Sequence, residues 1–221
     1  MKKYELTEET VTVYGKTLYR IRAVRDFGSV KTGEFGGYIE KEENLSHFGN
    51  AWVSGNAWVF GNAWVFDNAR VYDDTWVYGN ARVYDNARVS GDARVFDNAK
   101  VYGDAKVYGD ARVYGDAWVY GDARVSGDAW VSGNAWVYGN AEVFNTRHFF
   151  VQGPIGSRDG YVTFYRTKDD TIGVRCGCFS GSLQKFVDRV EETHGGSRYE
   201  KEYKLAAELA KVCIRLEGES R

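Results

Sequence analysis

The side chains able to do chemistry in this 221-residue chain are few, and most fall in its last third. Phe179-Ser180-Gly181-Ser182 leads directly into Leu183, Phe186, Val187 and Val190, whose spacing is helical. A helix start of that kind presents free backbone N–H groups and the positive end of the helix dipole, which suit an anion. Arg158, Arg166 and Arg175 come from the strands and loop just upstream and supply neutralising charge. The candidate anion site is therefore Arg158, Arg166, Arg175, Ser180, Gly181 and Ser182, and a small phosphorylated ligand such as a nucleotide is the chemistry it would take. The same residues also read as plain N-capping by Ser180 or Ser182, with solvated arginines nearby.

Cysteine and histidine offer less. Cys176-Gly177-Cys178 would put both thiols on one side of a strand, with His148 and His194 the nearest ligands in sequence. Two cysteines one residue apart do not have zinc-knuckle spacing, so no metal and no cofactor is expected. Buried, inert thiols are the simpler reading. Three cysteines, Cys213 being the third, make no disulfide framework. No residue is assigned a catalytic role.

The elements that must hold these residues are dictated by the middle of the chain. Ala51 to Thr146 is one six-residue phrase repeated sixteen times: small, variable, Val, aromatic or Ser, then two turn residues. Val fills its slot in all sixteen copies; Ala fills its own in fifteen, with Thr75 the exception. Ala and Val sit two apart, so in extended backbone both face one side. The closing pairs, Gly-Asn, Gly-Asp, Asp-Asn or Asp-Asp apart from Asn145-Thr146 in the last copy, tolerate positive φ or form side-chain turns. Each phrase is thus a short strand and a corner. Three make a triangular coil of eighteen residues, stacked about 4.8 Å apart.

Val53-Ser54-Gly55-Asn56-Ala57-Trp58, and every later copy, resembles the hexapeptide repeat of left-handed parallel β-helices. The resemblance covers 96 of 221 residues. The left hand is implied by it alone, because general crossover rules favour the right. It also implies a homotrimer, since these β-helices commonly assemble along faces parallel to their axis. A hexapeptide prism followed by a short α/β tail is similar to uncharacterised bacterial and phage proteins. In a phage setting that implies capture of a host factor or a nucleotide signal. Many hexapeptide proteins instead transfer acyl groups from coenzyme A, using a His as general base beside a loop that leaves the coils. The sixteen copies contain no His and no insertion, with His47 and His148 just outside, so an acyltransferase using an acyl-CoA donor stands as the alternative.

Residues eighteen apart should share a column. The first side carries Trp52 and a run of cations beside a column broken by Ser; the second carries Trp58, Trp76 and Trp130. The third carries Trp64, Trp118 and Trp136 beside Phe66, Tyr84, Tyr102, Tyr120 and Tyr138, an aromatic in every layer. All seven Trp are expected on the outside of the prism. An apolar ladder of that length points to a partner surface, and self-association is the expectation. Stacking between neighbouring strands is the other way to explain it.

Residues 1–44 read as an N-terminal β cap, with a hairpin about Tyr14-Gly15-Lys16. Residues 45–146 read as the β-helix, Leu45 to Asn50 being a degenerate copy with His47 in the Val slot. Residues 147–221 read as a C-terminal βββαα module: strands at 147–152, 161–167 and 171–179, a helix ending near Gly195, and a second opened by Ser197-Arg198-Tyr199-Glu200. The fold class is mainly β. A net charge of −2 and the lack of any strongly basic segment make nucleic-acid binding an unattractive reading. No apolar run reaches membrane-spanning length. Met1-Lys2-Lys3 is not followed by an apolar run, so a cytoplasmic location is expected.

Overall fold

The computed structural model describes residues 2–217. The cap is an antiparallel hairpin, β1 (Tyr4–Val13) and β2 (Lys16–Ala23), joined to β3 (Phe35–Ile39). Sixteen short rungs follow, from β4 (Trp52–Val53) to β19 (Glu142–Val143), one for each copy of the phrase. They stack in parallel, eighteen residues apart, as in Arg88 beside Arg70 and Lys106. Three sheets result. The first side has six strands and the third has five; the second has eight because β1, β2 and β3 continue it.

The lining is Val and Ala. All sixteen repeat valines have 0% exposure, from Val53 to Val143. Thr75 is equally buried in an Ala slot, and its hydroxyl donates to the Tyr72 carbonyl at 2.7 Å, so its polarity is satisfied. At the first fifteen corners the first turn residue has positive φ, +70° at Gly103 and +57° at Asp85. That is why Gly or Asp fills this slot in those fifteen copies, Asn145 of the last copy being the exception.

Parallel pairing begins earlier than the repeat itself. β3 pairs with β5 (Trp58–Val59), so Ile39 stacks on Val59. Leu45 bridges Val65 and is buried, which corrects the expected register. Leu45, not His47, fills the Val slot, and the extra residues bulge outward before Gly49. His47 instead stacks on Tyr4 at 4.3 Å, and its Nδ1 lies 3.3 Å from the Lys3 N–H. Two faces are covered at their N-terminal ends. Trp52 is only 5% exposed beneath Tyr4 and Phe27, so it is not on the outside as expected. Val13 and Leu18 of the hairpin pack on Phe60 of the second side.

The C-terminal module has four strands rather than three: β20 (Phe149–Ile155), β21 (Gly160–Arg166), β22 (Ile172–Cys176) and β23 (Phe179–Ser182) form one antiparallel sheet in chain order. The single strand expected over 171–179 is broken at Gly177, whose φ of +55° turns the chain into a hairpin. The sheet sorts its side chains by alternation. Tyr165, with Phe149 and Val151, closes the open end of the prism core. Val162, Phe164 and Val174 face the other way, onto α1 (Leu183–His194) and α2 (Arg198–Cys213). Thr163 Oγ1 accepts the Trp136 N–H at 2.9 Å, and the Lys168 N–H reaches the Asn140 carbonyl at 2.9 Å, which ties sheet to last coil.

Candidate functional site

The third side has the ladder that its sequence spacing predicts. Phe66, Tyr84, Tyr102 and Tyr120 stack at 4.8 Å with nearly parallel rings, and Tyr138 follows at 4.6 Å, tilted by 37°. Beside them Trp118 stacks on Trp136 at 5.1 Å, and Trp64 stacks on Phe66 at 4.0 Å. The rings cover one another, so Trp64 is the most open at 40% exposure and the others are half-buried. Burial pushes the Tyr84, Tyr102 and Tyr120 hydroxyls above their usual range. The second side has a shorter ladder, Phe60-Tyr78-Phe96-Tyr114, that the hairpin partly covers. The third ladder is met at its other end by the tail: Arg175 lies over Trp136 and Tyr138, 5.5 and 5.6 Å from the ring centroids.

That contact forms one wall of a cleft of about 720 Å³ between the last coils and the tail. Its lining includes the two hairpin ends of the tail sheet, at Ser157-Arg158 and Gly177-Cys178, together with Trp136 of the last coils and residues of α1. Arg189 and His194 come from α1, and Tyr203 from α2. Tyr203 organises the far wall: Phe186 meets it edge-on at 5.7 Å and His194 stacks on it at 5.7 Å. Burial raises the Tyr203 hydroxyl to about 12 and the Cys176 thiol above its usual value, so both are protonated at neutral pH. Among the described residues that line the cleft, none is acidic.

The predicted anion residues divide. Arg158 and Arg175 enter this cleft. Arg166 does not: it is 3% exposed beneath the last coil, bound to Asp170 and Glu217 at 2.7 Å each and stacked on Phe144. Ser180, Gly181 and Ser182 lie on the edge strand, outside the cleft lining. Ser182 Oγ accepts the Lys185 N–H as the N-cap of α1, the plainer of the two readings. Cys176 and Cys178 flank a hairpin turn rather than sharing one side of a strand. Among the described residues, no group of three or more His, Cys, Asp or Glu is placed to hold a metal ion.

Sequence reasoning missed Trp136, Tyr161, Phe179, Arg189 and Tyr203 as neighbours in one cleft. Arg189 alone had a usable signal, as it follows the apolar stripe of α1 by helical spacing. The guanidiniums differ in what they already hold. Arg189 pairs with Glu192 at the surface, whereas Arg158 and Arg175 have no carboxylate partner among the described residues. Arg175 Nε is also buried without a hydrogen-bond partner.

No helix among the described residues is long and apolar enough to cross a membrane. A family model described as YdcK Beta solenoid repeat matches residues 63–79, 76–91, 81–95, 105–121, 117–133 and 123–139, all within the coils. No curated protein matches the chain. The stacked coils, the buried Val slots and this match make the middle of the chain a β-solenoid of about six turns, of a β-helix repeat kind and similar to the YdcK repeats.

Proposed function

We propose that this chain is a non-enzymatic assembly and capture protein. Its solenoid associates with copies of itself through the third side, and the cleft between the last coils and the tail takes a small anionic ligand with an apolar body. One observation carries the ligand half: two guanidiniums without a carboxylate partner, Arg158 and Arg175, share a cleft, lined in part by aromatic rings, whose described lining contains no acid. A cleft of about 720 Å³ is in the range that encloses small organic molecules. The ladder Trp64, Phe66, Tyr84, Tyr102, Trp118 and Tyr120 is the proposed oligomer face; Trp136 and Tyr138, also expected there, are met by Arg175 of the tail. In its support, the cap covers the first two sides and leaves Trp64 of the third open to solvent, with Phe66 half-buried beneath it.

The resemblance adds a left-handed winding, a homotrimer and a phage role in sequestering a host factor or nucleotide signal to this proposal, and the polar N-terminal sequence adds a cytoplasmic setting. Sedimentation velocity tests the assembly. Phe66→Ser/Tyr84→Ser/Tyr102→Ser should lower the mass from oligomer to monomer while keeping the circular dichroism of the wild type; an unchanged mass removes the third side as the interface. Calorimetry with an anion panel tests the cleft: Arg158→Gln should weaken binding about tenfold, about 1.4 kcal/mol. A panel with no binder removes the ligand half.

His194, against Tyr203 in the cleft, is what favours the acyltransferase alternative. Turnover of acetyl-coenzyme A that is lost in His194→Gln would move the function to that reading.

A further inference from the structure

We infer that the ligand of the cleft is a nucleoside phosphate, with its ring system against the aromatic walls and its phosphoryl group on Arg158 and Arg175; this rests on the anion-capture reading above. Three features of the cleft narrow the class. The first is charge number. Two guanidiniums lack a carboxylate partner among the described residues, and Arg175 Nε is buried with no acceptor. A monocarboxylate would neutralise one; a phosphate monoester carries close to two negative charges and three acceptor oxygens, which match paired guanidinium forks.

The second is size. Phosphate alone would leave most of a 720 Å³ cleft empty, so the anion must carry a substantial body. The third is the shape of the walls. Trp136, Tyr161, Phe179, Phe186 and Tyr203 all line the cleft, and aromatic linings of this kind favour a flat ring over a flexible acyl chain. Tyr161 is 43% exposed at the rim, open enough to close over a ring without displacing core. Asn134 and Thr193, neutral and polar, line the same space and can hydrogen-bond ring edges or hydroxyls.

Calorimetry on the full chain tests this with adenosine and guanosine monophosphates and diphosphates, the parent nucleosides, pyrophosphate, phenyl phosphate and octanoate as probes. A nucleotide should bind at least about tenfold tighter than its nucleoside and than pyrophosphate. Arg158→Gln and Tyr161→Ala should each weaken it about tenfold, and thermal melts should confirm that both variants fold. Pyrophosphate binding as tightly as the diphosphates, or octanoate binding tightest with the same Arg158 dependence, would overturn the nucleoside class and keep the anion site. No binding by any probe would remove both.

Discussion

Two arginines nine residues apart show how one residue type takes opposite roles. Arg166 is enclosed, and its partners Asp170 and Glu217 reach it from the wet side. Arg166→Met should therefore cost about 2 kcal/mol, below the 3–5 typical of a fully buried pair, because the carboxylates it leaves behind can be hydrated. Urea unfolding would read that loss, with ligand affinity unchanged. Arg175 sits in a more open place and should show the reverse pattern. His148 gives a pH signature. It is 4% exposed, held between the Phe144 N–H and the Asn145 amide, and burial, then Arg166, lowers its pKa to about 4. The unfolded ring, near 6.5, binds the proton more readily, so the stabilisation is complete above about pH 6.5 and is lost as pH falls towards 4. Up to about 3 kcal/mol should go over that window, and His148→Gln should flatten the profile measured by thermal melts at stepped pH. Asp170, held below the usual carboxylate range by the Glu217 N–H and then Arg166, contributes its loss only at lower pH.

At the scale of the element, the corner decides more than the strand. A rung is two or three residues long and has little strength alone. What repeats is a turn whose first residue has positive φ and whose carbonyls and amides pair with the coils above and below. A Cβ on Gly103 would lie 2.9 Å from the Gly121 nitrogen, on top of the strain of φ +70°. Gly103→Ala should thus cost about 2 kcal/mol. Asp85→Gly, at the corner one coil earlier in the same column, should cost only about 1 kcal/mol: it loses the bond from the Gly103 N–H at 3.1 Å but relaxes the backbone. Chemical denaturation of the two variants side by side would show whether the order holds. Val101→Ala, which empties one slot of the lining, should fall at about 2–3 kcal/mol.

For the whole molecule, each end of the solenoid needs a lid. β3 and the hairpin close one, and Tyr165 with its sheet closes the other. A chain cut after Thr146 would present Val143 and the backbone edge of the last coil to solvent, and should aggregate. Light scattering during refolding would detect it; a monodisperse product would show that the tail is dispensable as a lid. The same junction makes the cleft, so the part that seals the core also builds the candidate site. That junction was not legible beforehand. Sequence adjacency puts an anion site on the Ser180-Gly181-Ser182 helix start, but Ser182 already caps α1. The arginine triplet was grouped by proximity along the chain. Alternation across β21 and β22, and the extra hairpin at Gly177, then sent Arg166 to one place and Arg175 to another.

The repeat by itself determined the coil, its eighteen-residue stacking and the Val and Ala lining, because a strict six-residue period leaves each side chain one direction to face and each corner one backbone conformation. Leu45 shows the limit even there: without the period, a slot cannot be counted. Where the chain is aperiodic, contacts between distant segments set the outcome. Trp136, Arg158, Arg175, Arg189 and Tyr203 meet only because a four-stranded sheet docks on the last coil and two helices dock on the sheet. No local propensity encodes that docking; it follows from burying both faces of the sheet at once.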